Sequence, residues 1–144
     1  MRKILIDSDV MLDLFIAREP HHEAALRFFS YLEANAESVT PFASPVAIAN
    51  VAYILAKAKD QRYALRKIHQ LRTLLGIAAV DESIVDAAMA RPHRDFEDSI
   101  QYHCASHNGI GLLVTRNERD YPAGEVVIVG PIDFMRLDSA EKAT

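Results

Sequence analysis

The apolar residues of this chain fall into short unbroken runs separated by longer stretches in which they recur every three or four positions. Runs of the first kind read as buried strands, and the three-and-four spacing reads as amphipathic helices. Lys3 to Asp7 is such a run and ends on an acid. Asp9 to Ala17 then carries helical spacing, so the chain opens β then α. Pro20 opens a second helix from about His21 to Asn35, with Ala24, Ala25, Phe28, Phe29 and Leu32 on its apolar face. Ser38 to Ala43 is a weaker strand, because Pro41 suits a strand end or an edge.

Ser44-Pro45 caps and starts a helix running to about Lys57, and Asp60 caps another running to about Leu75, where Gly76 stops it. Ile77 to Val80 reads as a strand. Asp81 caps a helix ending near Pro92, and Asp95 opens one more that closes at Asn108-Gly109. Leu112 to Thr115 and Val126 to Val129 are the last strands, and Pro131 opens a short terminal helix. Short apolar strands alternating with helices, without the polar alternation of a one-sided sheet, predict a mostly parallel sheet of about five strands covered on both faces. The expected architecture is a three-layer α/β/α sandwich, with residues 1–137 as one domain and 138–144 as a C-terminal tail.

Composition narrows this picture. With 144 residues, half of them hydrophobic, the chain suits one globular domain with its own core. Cys104 is the only cysteine, which excludes an internal disulfide and a cysteine-based metal cluster and points to a reducing, cytoplasmic setting. Asp7 comes too early for a signal-peptide core, and no apolar run reaches membrane-spanning length, so a soluble, unprocessed protein is expected. A net charge of −4 argues against binding nucleic acid by overall attraction. Local cations would have to do it. Lys57, Lys59, Arg62, Arg66, Lys67 and Arg72 form one cluster, equally explained as a solvated helix face, and Arg116 with Arg119 forms another.

In open parallel sheets, ligands bind beyond the carboxyl ends of the strands. Acids are predicted to gather there: Asp7 and Asp9 after the first strand, Asp95, Glu97 and Asp98 at a helix start, and Asn117 and Asp120 after the strand ending at Thr115. An acid at a helix start usually caps it, so no single one carries the inference, whereas the joint placement does. Crowded carboxylates repel unless a cation sits among them. Oxygen donors without cysteine favour Mg2+ or Mn2+ over zinc, and such ions suit phosphodiester hydrolysis.

Three segments carry a resemblance. Asp7-Ser8-Asp9-Val10-Met11-Leu12-Asp13-Leu14 resembles the opening of PIN-domain proteins, the family that includes VapC-type toxins. Asp95-Phe96-Glu97-Asp98-Ser99-Ile100-Gln101 and Thr115-Arg116-Asn117-Glu118-Arg119-Asp120-Tyr121 resemble its third and fourth motifs, and Pro131-Ile132-Asp133-Phe134 its closing turn. The resemblance implies a PIN-like fold and a Mg2+- or Mn2+-dependent endoribonuclease. Asp7 and Asp98 would bind metal directly, with Asp120, Asp9 and Glu97 as further acidic ligands. Asn117 and Asn50 would orient water, Thr115 and Asp95 would support the ligands, and Arg116 and Arg119 would meet RNA phosphates. It also implies a small antitoxin partner and a homodimer. Asn50 departs from the pattern, since many relatives have Glu there, and Asp9 stands where many have Asn.

Two alternatives follow from the same residues. The loss of charge at Asn50, with the acidic net charge, would suit a catalytically weakened PIN domain that binds RNA or protein. A strand followed by Asp7-x-Asp9 also begins haloacid-dehalogenase phosphatases, but no lysine follows Leu112 until Lys142. His103 and His107 lie four apart without a third zinc-type ligand, and Cys104 reads as a small core residue.

Overall fold

The computed structural model describes residues 1–91, 95–121 and 123–144. Among them β1 (Arg2–Ile6), β2 (Val39–Ala43), β3 (Gly76–Ile77), β4 (Leu112–Val114) and β5 (Val127–Val129) form one sheet in the order β3-β2-β1-β4-β5. Every pairing is parallel. The helices are α1 (Ser8–Phe15), α2 (His21–Ala34), α3 (Pro45–Ala58), α4 (Gln61–Arg72), α5 (Glu82–Ala90), α6 (Phe96–His107) and α7 (Pro131–Lys142). This is the expected three-layer sandwich.

Alternation within the strands divides the core. Ile4 and Ile6 of β1 and Leu112 and Val114 of β4 pack into one cluster with Val10, Phe28, Val51, Leu71 and Phe134 from α1, α2, α3, α4 and α7. Leu5 and Leu113, between them in sequence, point the other way and meet Ile84, Ile100 and Cys104 from α5 and α6. Successive strand side chains must face opposite sides, so a fully apolar β1 requires helices on both.

Several boundaries differ from the pattern. Pro41 lies in an interior strand, paired with Ile4 of β1, rather than at an edge. It is tolerated because β3 pairs only with Phe42 and Ala43, so on that side the ladder starts after the proline. Helix α4 ends at Arg72, earlier than Leu75, and Gly76 begins β3 instead of stopping the helix. The segment expected as a tail from 138 continues α7 to Lys142, because Asp138 is buried, accepts the Tyr31 hydroxyl at 2.5 Å and pairs with Lys142 at 2.8 Å. Helix α5 ends at Ala90, and the expected end near Pro92 lies outside the described residues. Among the described residues no helix is long and apolar enough to cross a membrane.

The sheet order positions the site. From β1 the chain crosses to β2 on one side, while β4 adds on the other, so the switch in direction falls between β1 and β4. Leu5 pairs with Leu113 and Ile6 with Val114, which brings the next residues, Asp7 and Thr115, side by side beyond the strand ends.

Candidate functional site

Asp7 follows β1 directly and caps α1, whose first turn carries Asp9. It is buried at 6% exposure and held by four donors. The Ser8 N–H reaches Oδ1 at 2.7 Å, with Gln101 Nε2 more distant at 3.4 Å. Oδ2 accepts the Thr115 hydroxyl at 2.9 Å and the Tyr121 hydroxyl at 3.2 Å. Gln101 is itself fully buried, and its side-chain oxygen accepts the hydroxyl of Ser44, the residue that caps α3. A single polar chain therefore ties the starts of α1 and α3 to the middle of α6.

Asp98 enters from the first turn of α6, which Asp95 caps by accepting the Glu97 N–H at 2.8 Å. Its Oδ1 accepts the same Tyr121 hydroxyl at 3.2 Å. One hydroxyl thus joins two carboxylates from segments far apart in sequence. Burial and the charges of Asp7 and Asp98 push the Tyr121 pKa far above its ordinary value, so that the hydroxyl keeps its proton.

Asp9 is the third carboxylate. Its Oδ2 accepts the Arg116 N–H at 3.0 Å, Asn117 Nδ2 at 3.0 Å and the Thr115 hydroxyl at 3.3 Å. Its Oδ1 is buried with no hydrogen-bond partner among the described residues. Burial first, and the charge of Asp7 second, raise its pKa to about 7. Burial, Asp7 and Asp95 raise that of Asp98 to about 6, against the lowering effect of the Tyr121 hydroxyl. Glu97 is raised by burial and by Asp7 and Asp95. Asp7, Asp9 and Asp98 thus come together through Thr115 and Tyr121, and their mutual charge adds to burial in raising these values.

The other expected residues divide by what they touch. Asn50 on α3 donates to the Ser8 hydroxyl at 3.1 Å, beside the Asp7 cap. Asn117 spends its amide on Asp9. Asp120, on a 3-10 turn at Glu118–Asp120, is half-buried and adds to the repulsion on Asp98. Arg119 is exposed. Arg116 turns its guanidinium to the buried carboxylate of Asp13, Nε to Oδ2 at 2.5 Å and Nη2 to Oδ1 at 3.3 Å.

Asp13, Ser8, Gln101 and Tyr121 were given no role from the sequence. Asp13 follows Asp9 by one helical turn in an otherwise apolar stretch, and Gln101 follows Asp98 by three, so both spacings marked a shared face. No local signal marks Tyr121, whose place depends on the turn before it. Among the described residues no three His, Cys, Asp or Glu side chains form a ready metal cage. The arrangement is instead an open junction of two carboxylates with a third beside them, all oxygen donors, at the switch point of a parallel sheet.

A family model for the PIN domain matches residues 3–119. Ribonuclease VapC1 of Aquifex aeolicus (strain VF5) is 25% identical over 137 residues, covering 92% of this chain and 92% of that protein. The solved structure of VapC20 from Mycobacterium tuberculosis, a Sarcin-Ricin loop cleaving toxin, is similar with a TM-score of 0.62 at 16% identity, covering 76% of this chain and 86% of that one. A toxin-antitoxin complex from Klebsiella pneumoniae contains a chain similar at a TM-score of 0.65 and 21% identity, covering 89% and 97% respectively. At such identities these structures speak to the fold alone.

Proposed function

The chain belongs to the PIN domain family, and from that membership we propose that it is a metal-dependent endoribonuclease, hydrolysing RNA phosphodiester bonds at the Asp7–Asp98 junction. The observation that carries this reading is the joining of the buried Asp7 and the half-buried Asp98 by one hydroxyl, with a third carboxylate whose buried Oδ1 has no hydrogen-bond partner among the described residues. The 25% identity to a ribonuclease over most of the chain supports it.

The residues fit a hard divalent ion. Mg2+ uses one or two carboxylates and completes its shell with water and substrate phosphate, and Asp7 and Asp98, which meet at one hydroxyl, offer two. Asp7 and Asp98 would hold Mg2+ or Mn2+, with Asp120, whose charge acts on Asp98, and Glu97, which feels the charge of Asp7, as further acids of the site. The chemistry such an ion supplies is polarisation of a phosphoryl oxygen and easier deprotonation of water.

The chain's own part is positioning. Thr115, the Ser8 N–H and Gln101 fix the Asp7 carboxylate, so its direction does not depend on substrate. Asn117 and the Arg116 N–H fix Asp9 in the same way. Asn50, beside Ser8, offers an uncharged amide that orients water at the junction. Arg119, exposed beside Asp120, contacts an RNA phosphate. As the motif resemblance implies, the reading extends to a cytoplasmic homodimeric toxin restrained by a small antitoxin protein, in keeping with the toxin and the toxin-antitoxin complex among the similar structures.

A weakened PIN domain that binds RNA without cutting is the second reading, favoured by Asn50, which brings no charge where many relatives carry Glu. Cleavage of labelled single-stranded RNA with Mg2+, with Mn2+ and with chelator separates the two. The nuclease requires cleavage that needs the ion and vanishes in an Asp7→Asn/Asp98→Asn protein. RNA retention without turnover by folded protein supports the binding module instead.

A further inference from the structure

The Tyr121 hydroxyl stands at the one point both carboxylates approach, 3.2 Å from Asp7 Oδ2 and 3.2 Å from Asp98 Oδ1. The side chain is buried at 7% exposure and follows directly on Asp120. A cation held through Asp7 Oδ2 and Asp98 Oδ1 would compete for the oxygens that this hydroxyl engages. Both cannot hold them from the same side, because a proton donor and a cation seek the same negative charge. Asp7 does not depend on Tyr121 for its direction, since Thr115 and the Ser8 N–H hold it independently.

We infer that Tyr121 is a placeholder at the carboxylate junction: its hydroxyl holds Asp98 to Asp7 in the metal-free protein and is displaced when a divalent cation binds. This deepens the nuclease reading and rests on it. The hydroxyl lowers the affinity for the cation while keeping the unloaded site assembled against the repulsion of its acids. Tyr121 is in this sense a positioning residue that sets the metal requirement of the chain. The opposing possibility is that the hydroxyl stays and braces the two ligands from outside, and it predicts the opposite sign.

The test is Tyr121→Phe in the full chain, with Mn2+ binding measured from the paramagnetic resonance of free Mn2+ and melting followed in chelator and in saturating Mn2+. One shared hydrogen bond to charged acceptors is worth about 1.5 kcal/mol, so Kd for Mn2+ is expected to fall about tenfold. The variant should melt below the parent in chelator, and the gap should close in Mn2+. Unchanged or weaker Mn2+ binding, or a melting deficit that persists undiminished with the ion, overturns the placeholder. Parent protein that binds Mn2+, with an unchanged Kd in the variant, removes the placeholder alone. Absence of Mn2+ binding in both proteins removes the nuclease reading and the placeholder with it.

Discussion

Asp9→Asn should stabilise the metal-free protein at alkaline pH relative to acid pH. Burial and the charge of Asp7 take the Asp9 pKa from 3.8 to about 7. A carboxylate raised in the folded state binds its proton more tightly there than in the unfolded chain, so its contribution is fully present below the unfolded value and is lost as pH rises through the folded one. At about 1.4 kcal/mol per pH unit, the rise amounts to about 4 kcal/mol at pH 8, of which about 3 develops between pH 5 and pH 8. Residual solvent and the sharing of charge with Asp7 reduce that pH-dependent part to about 1.5 kcal/mol. Asparagine keeps an oxygen for Arg116, Asn117 and Thr115 but places an N–H where Oδ1 has no partner among the described residues, a constant cost of about 1 kcal/mol or more. That cost cancels when the two pH values are compared. Urea unfolding of parent and variant in chelator at pH 5 and pH 8 should therefore give a stability difference that moves by about 1.5 kcal/mol in favour of the variant. A difference that does not move, or that moves the other way, refutes the placing of an ionised, repelled Asp9 in this site.

Asp98→Asn should lower ion-dependent RNA cleavage by at least about 100-fold and weaken Mn2+ binding, while leaving the far-ultraviolet dichroism unchanged. Asp13→Asn should cost about 2 kcal/mol in urea unfolding, because the Arg116 guanidinium loses the buried acid it grips, and Arg116→Met in the same chain should recover much of the loss. Arg119→Ala should weaken RNA binding and flatten its salt dependence by about one unit of slope without moving the melting temperature. An Arg119 that matters to stability instead would displace the phosphate-contact assignment.

Much of the fold could be read from the sequence because its strands are apolar on both faces. Ile4, Leu5 and Ile6 have no polar member, and only a sheet covered on both sides buries all three. Helix starts were equally legible: Ser44, Asp60, Asp81 and Asp95 each cap the helix expected of them. Helix ends and short strands were less so, since β3 pairs over two residues and is defined by its neighbour β2 more than by its own pattern. In the site, the convergence of Asp7, Asp9 and Asp98 follows from strand ends and first turns, which local patterns predict. The pairing of Arg116 with Asp13 is not legible in the sequence, because pattern places Arg116 after β4 but does not reveal a buried acid on another element as its partner. Tyr121 went without a role for the same reason.

The local signals alone do not explain how so many acids are tolerated in one place. Asp7 and Asp9 lie at the start of α1, and Asp95, Glu97 and Asp98 at the start of α6. A helix N-terminus carries the equivalent of about half a positive charge, so two of them offset about one carboxylate, at roughly 0.3–1 kcal/mol for each favourably placed acid. Donors from Thr115, Ser8, Gln101 and Tyr121 stabilise Asp7 further, but they are neutral and cancel no charge. The remainder persists as the raised pKa values of Asp9, Glu97 and Asp98. Asn50 adds nothing to this balance, whereas a Glu at position 50 would place one more negative charge across Ser8 from the same junction.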